Sequence, residues 1–219
     1  MNLLSMSKEQ LLTMLIARVI IILLILPLHE FAHAWVARLC GDDTADSKGR
    51  LTLNPFSHVD PFGAILLLLT GFGWAKPVGV NPTYFKHPKR DMALTAAAGP
   101  ASNLLLALLS AVLYNILYLL GVRSDATVLV FYYLITLNVS LAVFNLLPIP
   151  PLDGARIFAW VLPERVSWWV ARYERIIMIV LMVAVFSGRL DFILDALNRW
   201  AFQGIMTIAD APFRLLGLF

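Results

Sequence analysis

The sequence predicts an all-α integral membrane protein: a polytopic helical bundle of about four to six membrane segments, with a small β-hairpin or re-entrant region after the first core helix. Three observations predict it. Of 219 residues, 60% are hydrophobic and only 14% charged, and the mean hydropathy is +0.79, far more apolar than a soluble domain of this length requires. Apolar stretches recur at about 11–39, 61–74, 92–120, 126–147 and 168–186, where a spanning helix needs roughly 20 residues. No repeat, low-complexity tract or long linker separates them, so one domain is expected over 1–219, with a core at about 15–160 and a C-terminal membrane helix and amphipathic segment at about 165–219.

The first stretch follows Lys8 and leads directly into HEFAH at 29–33 without a small-residue cleavage site, so it reads as a retained helix and not as a cleaved leader. Residues 61–74 are short for a crossing and carry Gly63, Gly71 and Gly73, which leaves a full crossing and a re-entrant or tilted hairpin both open. Residues 48–55 alternate polar with apolar, and 76–82 are β-branched and bounded by prolines; two extended pieces able to pair as a small sheet are expected there. The stretch at 168–186 is interrupted near its start by Arg172, Glu174 and Arg175, with Trp168, Trp169 and Tyr173 as interfacial anchors. Beyond Gly188, Asp191, Asp195, Asn198, Arg199 and Gln203 recur at helical intervals among apolar residues, an amphipathic helix lying on the membrane or packing beside the bundle.

Charge sorts onto one side if 61–74 re-enters. Arg38, Lys48, Arg50, Lys76, Lys86, Lys89 and Arg90 then join Arg156, Arg165, Arg172 and Arg175, against Lys8, Arg18, Arg123 and Arg189 opposite. The richer side is expected to be cytoplasmic, which places the loop after the first helix there. A net charge of +3 spread over such a chain marks topology and not a nucleic-acid surface. Cys40, the single cysteine, excludes an internal disulfide and a cysteine-rich metal site.

HEFAH is a His-Glu-x-x-His motif. On a helix its spacing turns His29 and His33 to one face, with Glu30 beside them as a general base. Counted from Arg18, His29 lies roughly 16 Å along the helix, near the middle of a hydrocarbon core about 30 Å thick. Three ionisable side chains at that depth are costly unless they bind something or line a wet cavity.

A catalytic zinc takes three protein ligands and leaves one position open, so a third donor is required. His58 and His87 sit in polar, proline-flanked loops and read as solvated surface residues. Asp153 follows Pro148, Pro150 and Pro151, which break an apolar helix, and precedes Gly154. It fits an N-cap as well as a ligand; its pairing with HEFAH favours the ligand. Asn145 and Asn103 are amides in apolar surroundings that need hydrogen-bond partners, and helix-to-helix contact accounts for both as readily as chemistry does.

These motifs resemble those of the site-2 protease family of intramembrane zinc metalloproteases. HEFAH matches its His-Glu-x-x-His signature, residues 145–154 match its Asn-to-Asp-Gly signature, 99–103 a third pattern, and 73–82 a loop of its compact bacterial members. The resemblance covers about 15–160 and implies one zinc ion per chain on His29, His33 and Asp153. It further implies Glu30 activating the attacking water, Asn145 holding the substrate or the developing negative charge, and Asn103 on the substrate. The short link between Leu120 and Ala126 leaves out the inserted PDZ module of some relatives, and no CBS-type domain is expected. The implied setting is a bacterial cell membrane, with the lipid bilayer and a transmembrane protein or peptide as partners and no nucleic acid.

A membrane-spanning substrate must unwind before its carbonyls are accessible. Leu51, Thr52 and Leu53, or Val78 to Val80, are expected to pair with it as an added strand. From another class, a zinc transporter or sensor would also place His and Asp in a membrane; Glu30 discriminates, since only the protease needs its carboxylate for cleavage. A non-catalytic scaffold would lack the complete set of ligands and base that is present.

Overall fold

The computed structural model describes residues 8–70 and 73–218; the N-terminal stretch 1–7, expected to be retained, and Gly71 and Phe72 lie outside them. Helix α1 (Lys8–Ile20), a π-turn at Ile21–Ile25 and helix α2 (Leu26–Leu39) form one continuous rod. The wide turn lies immediately before Pro27, whose ring has no N–H for the Leu23 carbonyl; widening lets the helix pass the proline without ending. Residues Leu11–Leu39 make an apolar span of 29 residues. Gly41, at φ 104°, closes it: the Gly41 N–H bonds Arg38 O and the Asp42 N–H bonds Ala37 O, both at 3.0 Å, satisfying carbonyls that the last turn leaves open.

After the short helix α3 (Thr44–Ser47) the chain enters α4 (Pro61–Thr70), ten residues long, or roughly 15 Å, half a hydrocarbon core. The chain then comes back. Val59 and Ala75 form an antiparallel bridge, and the Lys76 N–H bonds His58 O at 2.7 Å. A Cβ on Gly63 would overlap the Trp74 carbonyl, and one on Gly73 would overlap the Gly63 carbonyl, so two glycines let the outgoing and returning limbs touch. Arg18 of α1 donates to Leu68 O and holds α4 against the first rod. The described limbs on either side of the turn thus lie next to each other, the arrangement that the hairpin route for 61–74 requires.

The small sheet does not form; no strand occurs among the described residues. Residues 48–55 fold back on themselves instead: Thr52 Oγ1 accepts the Asn54 N–H at 3.1 Å, and Asn54 Oδ1 caps a tight turn at Pro55–Ser57 by accepting the Phe56 N–H at 3.1 Å. Such local side-chain bonds compete with strand pairing. Residues 76–81 form no helix or strand, and two of their N–H groups go to carboxylates far away in sequence: Val78 to Glu30 Oε2 at 3.0 Å and Asn81 to Asp42 Oδ2 at 2.6 Å. His58 corrects another expectation. It is 1% exposed, and its Nε2–H donates to Thr52 O at 2.7 Å.

Helix α5 (Pro88–Leu119) is 32 residues long and passes through Pro100. A short turn leads to α6 (Asp125–Asn145), where Ser124 Oγ caps the start by accepting the Thr127 N–H; no inserted domain separates the two. Beyond the prolines come α7 (Asp153–Ala159), α8 (Glu164–Arg172), α9 (Glu174–Phe186) and α10 (Asp191–Leu215). Helix α5 is the hub, with α2, α6, α7 and α10 all packed on it. Small buried residues, Ala96, Gly99, Ala107 and Ala111, allow that close approach. The amphipathic segment packs beside the bundle: Ile205 and Ala209 of α10 join Ala107, Ala111, Ile135 and Val139 in one core, and Asn115 Nδ2 donates to Asp210 Oδ1 at 2.9 Å. Lys89 Nζ reaches Glu164 Oε1 at 3.0 Å, tying α8 to the start of α5 and holding the Glu164 carboxyl below its usual range.

By length and composition, 11–39, α5 and α6 can each cross a membrane, and α9 with α10 would make a fourth span despite an 83° bend. Among the described residues three to four spans thus meet the lower end of the expected four to six segments; the helix at 61–70 is short, and the stretch at 168–186 breaks at Tyr173. Large apolar side chains such as Leu12, Leu23, Leu105 and Val130 point outward, as a lipid-facing surface requires.

Candidate metal centre

Three elements bring the donors together. The i, i+4 spacing on α2 stacks His29 and His33, both buried, on the face turned to α5. Asp153 comes from the first position of α7, delivered by the proline-broken turn after α6. Gly154 makes that delivery possible: a Cβ there would overlap the carbonyl oxygens of Leu146 and Leu147, so only glycine lets α7 start so close to the end of α6. The capping residue of α7 is Leu152, and the Asp153 carboxylate makes no capping bond. Of its two readings, N-cap and ligand, the first does not hold.

His29 Nε2 and His33 Nε2 lie 3.0 Å apart, and each is 3.2 Å from Asp153 Oδ2. The second nitrogen of each ring shows what the first must be. His29 Nδ1 lies 2.8 Å from Asn103 Oδ1 and His33 Nδ1 lies 2.7 Å from Thr95 O, both acceptors, so each Nδ1 carries its ring proton. Each Nε2 is then a lone pair aimed at another lone pair and at a carboxylate oxygen. Three acceptors so close together, two of them on buried histidines, repel unless a cation stands between them. Donors about 2.0–2.1 Å from a tetrahedral zinc stand roughly 3.3 Å from one another; the observed triangle has that size. These residues fit zinc.

Glu30 follows His29 on the same helix and is half-buried. Its Oε2 accepts the Val78 N–H at 3.0 Å, which fixes the carboxylate beside the histidine pair. Asn145 ends α6, half-buried and without a side-chain hydrogen bond among the described residues, one residue from the Leu146 carbonyl that faces Gly154. Asn103 has a different place from the one expected on the substrate: it is 1% exposed and its Oδ1 is engaged by His29. Leu51 packs against Ala34, Ala45 and Val78, Thr52 O is taken by His58, and Leu53 is exposed. Three participants went unread in the sequence: the Thr95 carbonyl, the Val78 N–H and Gly99, where a Cβ would press on both Nε2 atoms. Gly99 had a signal, since it begins the 99–103 motif; the two backbone groups had none.

Comparison with known proteins gives the family of the chain. A family model described as Peptidase family M50 matches residues 17–127 and 122–188. YwhC of Bacillus subtilis (strain 168), which carries a zinc metalloprotease name, is 39% identical over 203 residues, covering 90% of this chain and 93% of its own. Rip2 of Mycolicibacterium smegmatis, similarly named, is 32% identical over 203 residues, covering 86% of this chain and 71% of its own. Rip3 of Mycobacterium tuberculosis, also so named, is 32% identical over 194 residues, or 84% of this chain and 42% of its own. No solved structure matches the chain.

Proposed function

Because the chain belongs to peptidase family M50, the site-2 protease family of zinc metalloproteases, we propose that it hydrolyses peptide bonds of membrane-spanning substrates within or beside the bilayer, with zinc on His29, His33 and Asp153. The observation that carries this is the triangle of two imidazole nitrogens and one carboxylate oxygen, 3.0–3.2 Å on a side, set on a helix long and apolar enough to span. Zinc bound there supplies Lewis acidity, lowering the pKa of a water toward about 7 and polarising the scissile carbonyl.

The chain's own groups do the rest. Glu30, held at Oε2 by Val78, accepts a water proton at Oε1 and returns it to the leaving amine. The free amide of Asn145 donates to the carbonyl oxygen as negative charge develops there, in surroundings where little water competes. Burial of His29 and His33 against α5 keeps bulk water away from the donors. The unwound substrate pairs with the extended segment after Val78, because the Gly79 and Val80 N–H groups make no hydrogen bond among the described residues. Leu51 to Leu53, which are bent and partly engaged, support that segment through Leu51 and Val78. The whole is one membrane domain with the loop after Arg38 in the cytoplasm.

The test is Glu30→Gln beside wild type, purified in detergent and assayed against single-span membrane peptides with bound metal measured in parallel. Wild type holds about one zinc per chain and cleaves; Glu30→Gln holds zinc and does not. Cleavage by Glu30→Gln at the wild-type rate would remove the proposed base, and wild type without metal would remove the site.

A further inference from the structure

Three positions on α5 face the two histidines at successive helical turns: Thr95, Gly99 and Asn103, spaced i, i+4, i+8. They match the i, i+4 pair on α2 in opposite order, Thr95 O with His33 Nδ1 at 2.7 Å and Asn103 Oδ1 with His29 Nδ1 at 2.8 Å. Gly99 lies between. A Cβ there would press on His33 Nε2 and stand 2.6 Å from both Nε2 and Cε1 of His29, directly against two of the three donors.

We propose that this face of α5 sets the metal affinity of the site without supplying a ligand: the outer two positions aim the imidazoles, and the missing side chain of Gly99 is the room in which the ion sits. The inference rests on the zinc reading above and deepens it. Each outer acceptor holds a ring proton on Nδ1, so the metal-facing nitrogen is a lone pair at a fixed angle; such partners typically govern affinity by 10–100-fold. Gly99 acts by volume. Alanine is favoured over glycine inside a helix, so local helix formation gives no reason for glycine here, whereas the two imidazoles do. The Ser102 hydroxyl bonds the Gly99 carbonyl at 2.7 Å, steadying the turn that carries the gap.

The experiment compares the full chain with Gly99→Ala, Asn103→Leu and Asn103→Asp in detergent, reading zinc affinity by chelator competition and the absorption spectrum of the cobalt-substituted protein, with thermal unfolding in excess chelator as a check of folding. Asn103→Leu loses on the order of 10–100-fold in zinc affinity and changes the cobalt spectrum. Asn103→Asp, nearly the same size and still an acceptor for the His29 proton, restores both. Gly99→Ala loses about 100-fold or more. If Gly99→Ala does not fold, the Asn103 pair decides: equal affinity for Asn103→Leu and Asn103→Asp overturns the proposal, as does wild-type affinity in a folded Gly99→Ala. Wild type that takes up no zinc or cobalt would instead overturn the zinc reading itself.

Discussion

The Glu30 carboxylate accepts the backbone N–H of Val78 at 3.0 Å, across 48 positions of sequence. One bond therefore couples the proposed base to the segment on which we place the substrate. Val78→Pro removes that donor while leaving the side chain apolar. A hydrogen bond to a charged group contributes about 1.5–3 kcal/mol, so peptide cleavage by Val78→Pro is expected to fall roughly ten- to hundredfold, in kcat more than in KM, with bound zinc unchanged. Val78→Ala keeps the N–H and should retain more activity than Val78→Pro. Equal rates for the two would show that the bond does not orient Glu30.

The re-entrant limb gives a prediction about stability. Valine at Gly63 would drive a side chain into the Trp74 carbonyl, a backbone atom that cannot move aside cheaply. Overpacking of a tight site costs typically 1–3 kcal/mol, and Gly63→Val should lower the unfolding temperature in detergent by several degrees. Gly204 is the contrast. It lies mid-helix in α10, exposed, with nothing within 4 Å of a Cβ, so Gly204→Ala should stabilise by up to about 1 kcal/mol. Opposite signs at the two glycines are the outcome to look for.

Legibility in the sequence followed the range of the interactions. HEFAH could be read because four residues on a helix fix both imidazoles whatever the rest of the chain does, and Asp153 because three prolines at membrane depth need a reason. The register of α5 against α2 is tertiary, so Thr95 leaves no signal in the sequence, and the 99–103 motif marks Gly99 and Asn103 without showing that they face the two histidines. The absent sheet has the same cause: Glu30 and Asp42, distant carboxylates, take the Val78 and Asn81 N–H groups that a strand would have used. His58 departs from the surface position expected because burial of a polar loop against the π-turn and α2 leaves no periodic trace.

Topology can be checked by labelling. With Cys40→Ser removing the single native thiol, cysteines at Lys48 and Arg165 should react with a membrane-impermeant maleimide from the cytoplasmic side, and one at Arg123 from the opposite side. Both Lys48 and Arg165 are exposed, and the Lys89–Glu164 pair keeps the start of α8 level with the start of α5. Labelling of Lys48→Cys and Arg165→Cys from opposite sides would mean that 61–74 crosses after all.

Asp153 separates a ligand from a cap. A capping carboxylate contributes about 1 kcal/mol to a helix whether or not metal is present, but Leu152 occupies the cap of α7 and the Asp153 carboxylate faces two imidazoles. In excess chelator, Asp153→Ala should therefore unfold at or above the wild-type temperature, because it removes a half-buried carboxylate that faces two lone pairs. With zinc present, wild type should gain stability as the ion binds only the folded chain, by about 2.7 kcal/mol at a hundredfold excess over Kd, and Asp153→Ala should gain far less. The two unfolding curves thus cross over on adding zinc. A constant deficit for Asp153→Ala, the same with chelator as with zinc, would return this carboxylate to a purely structural role.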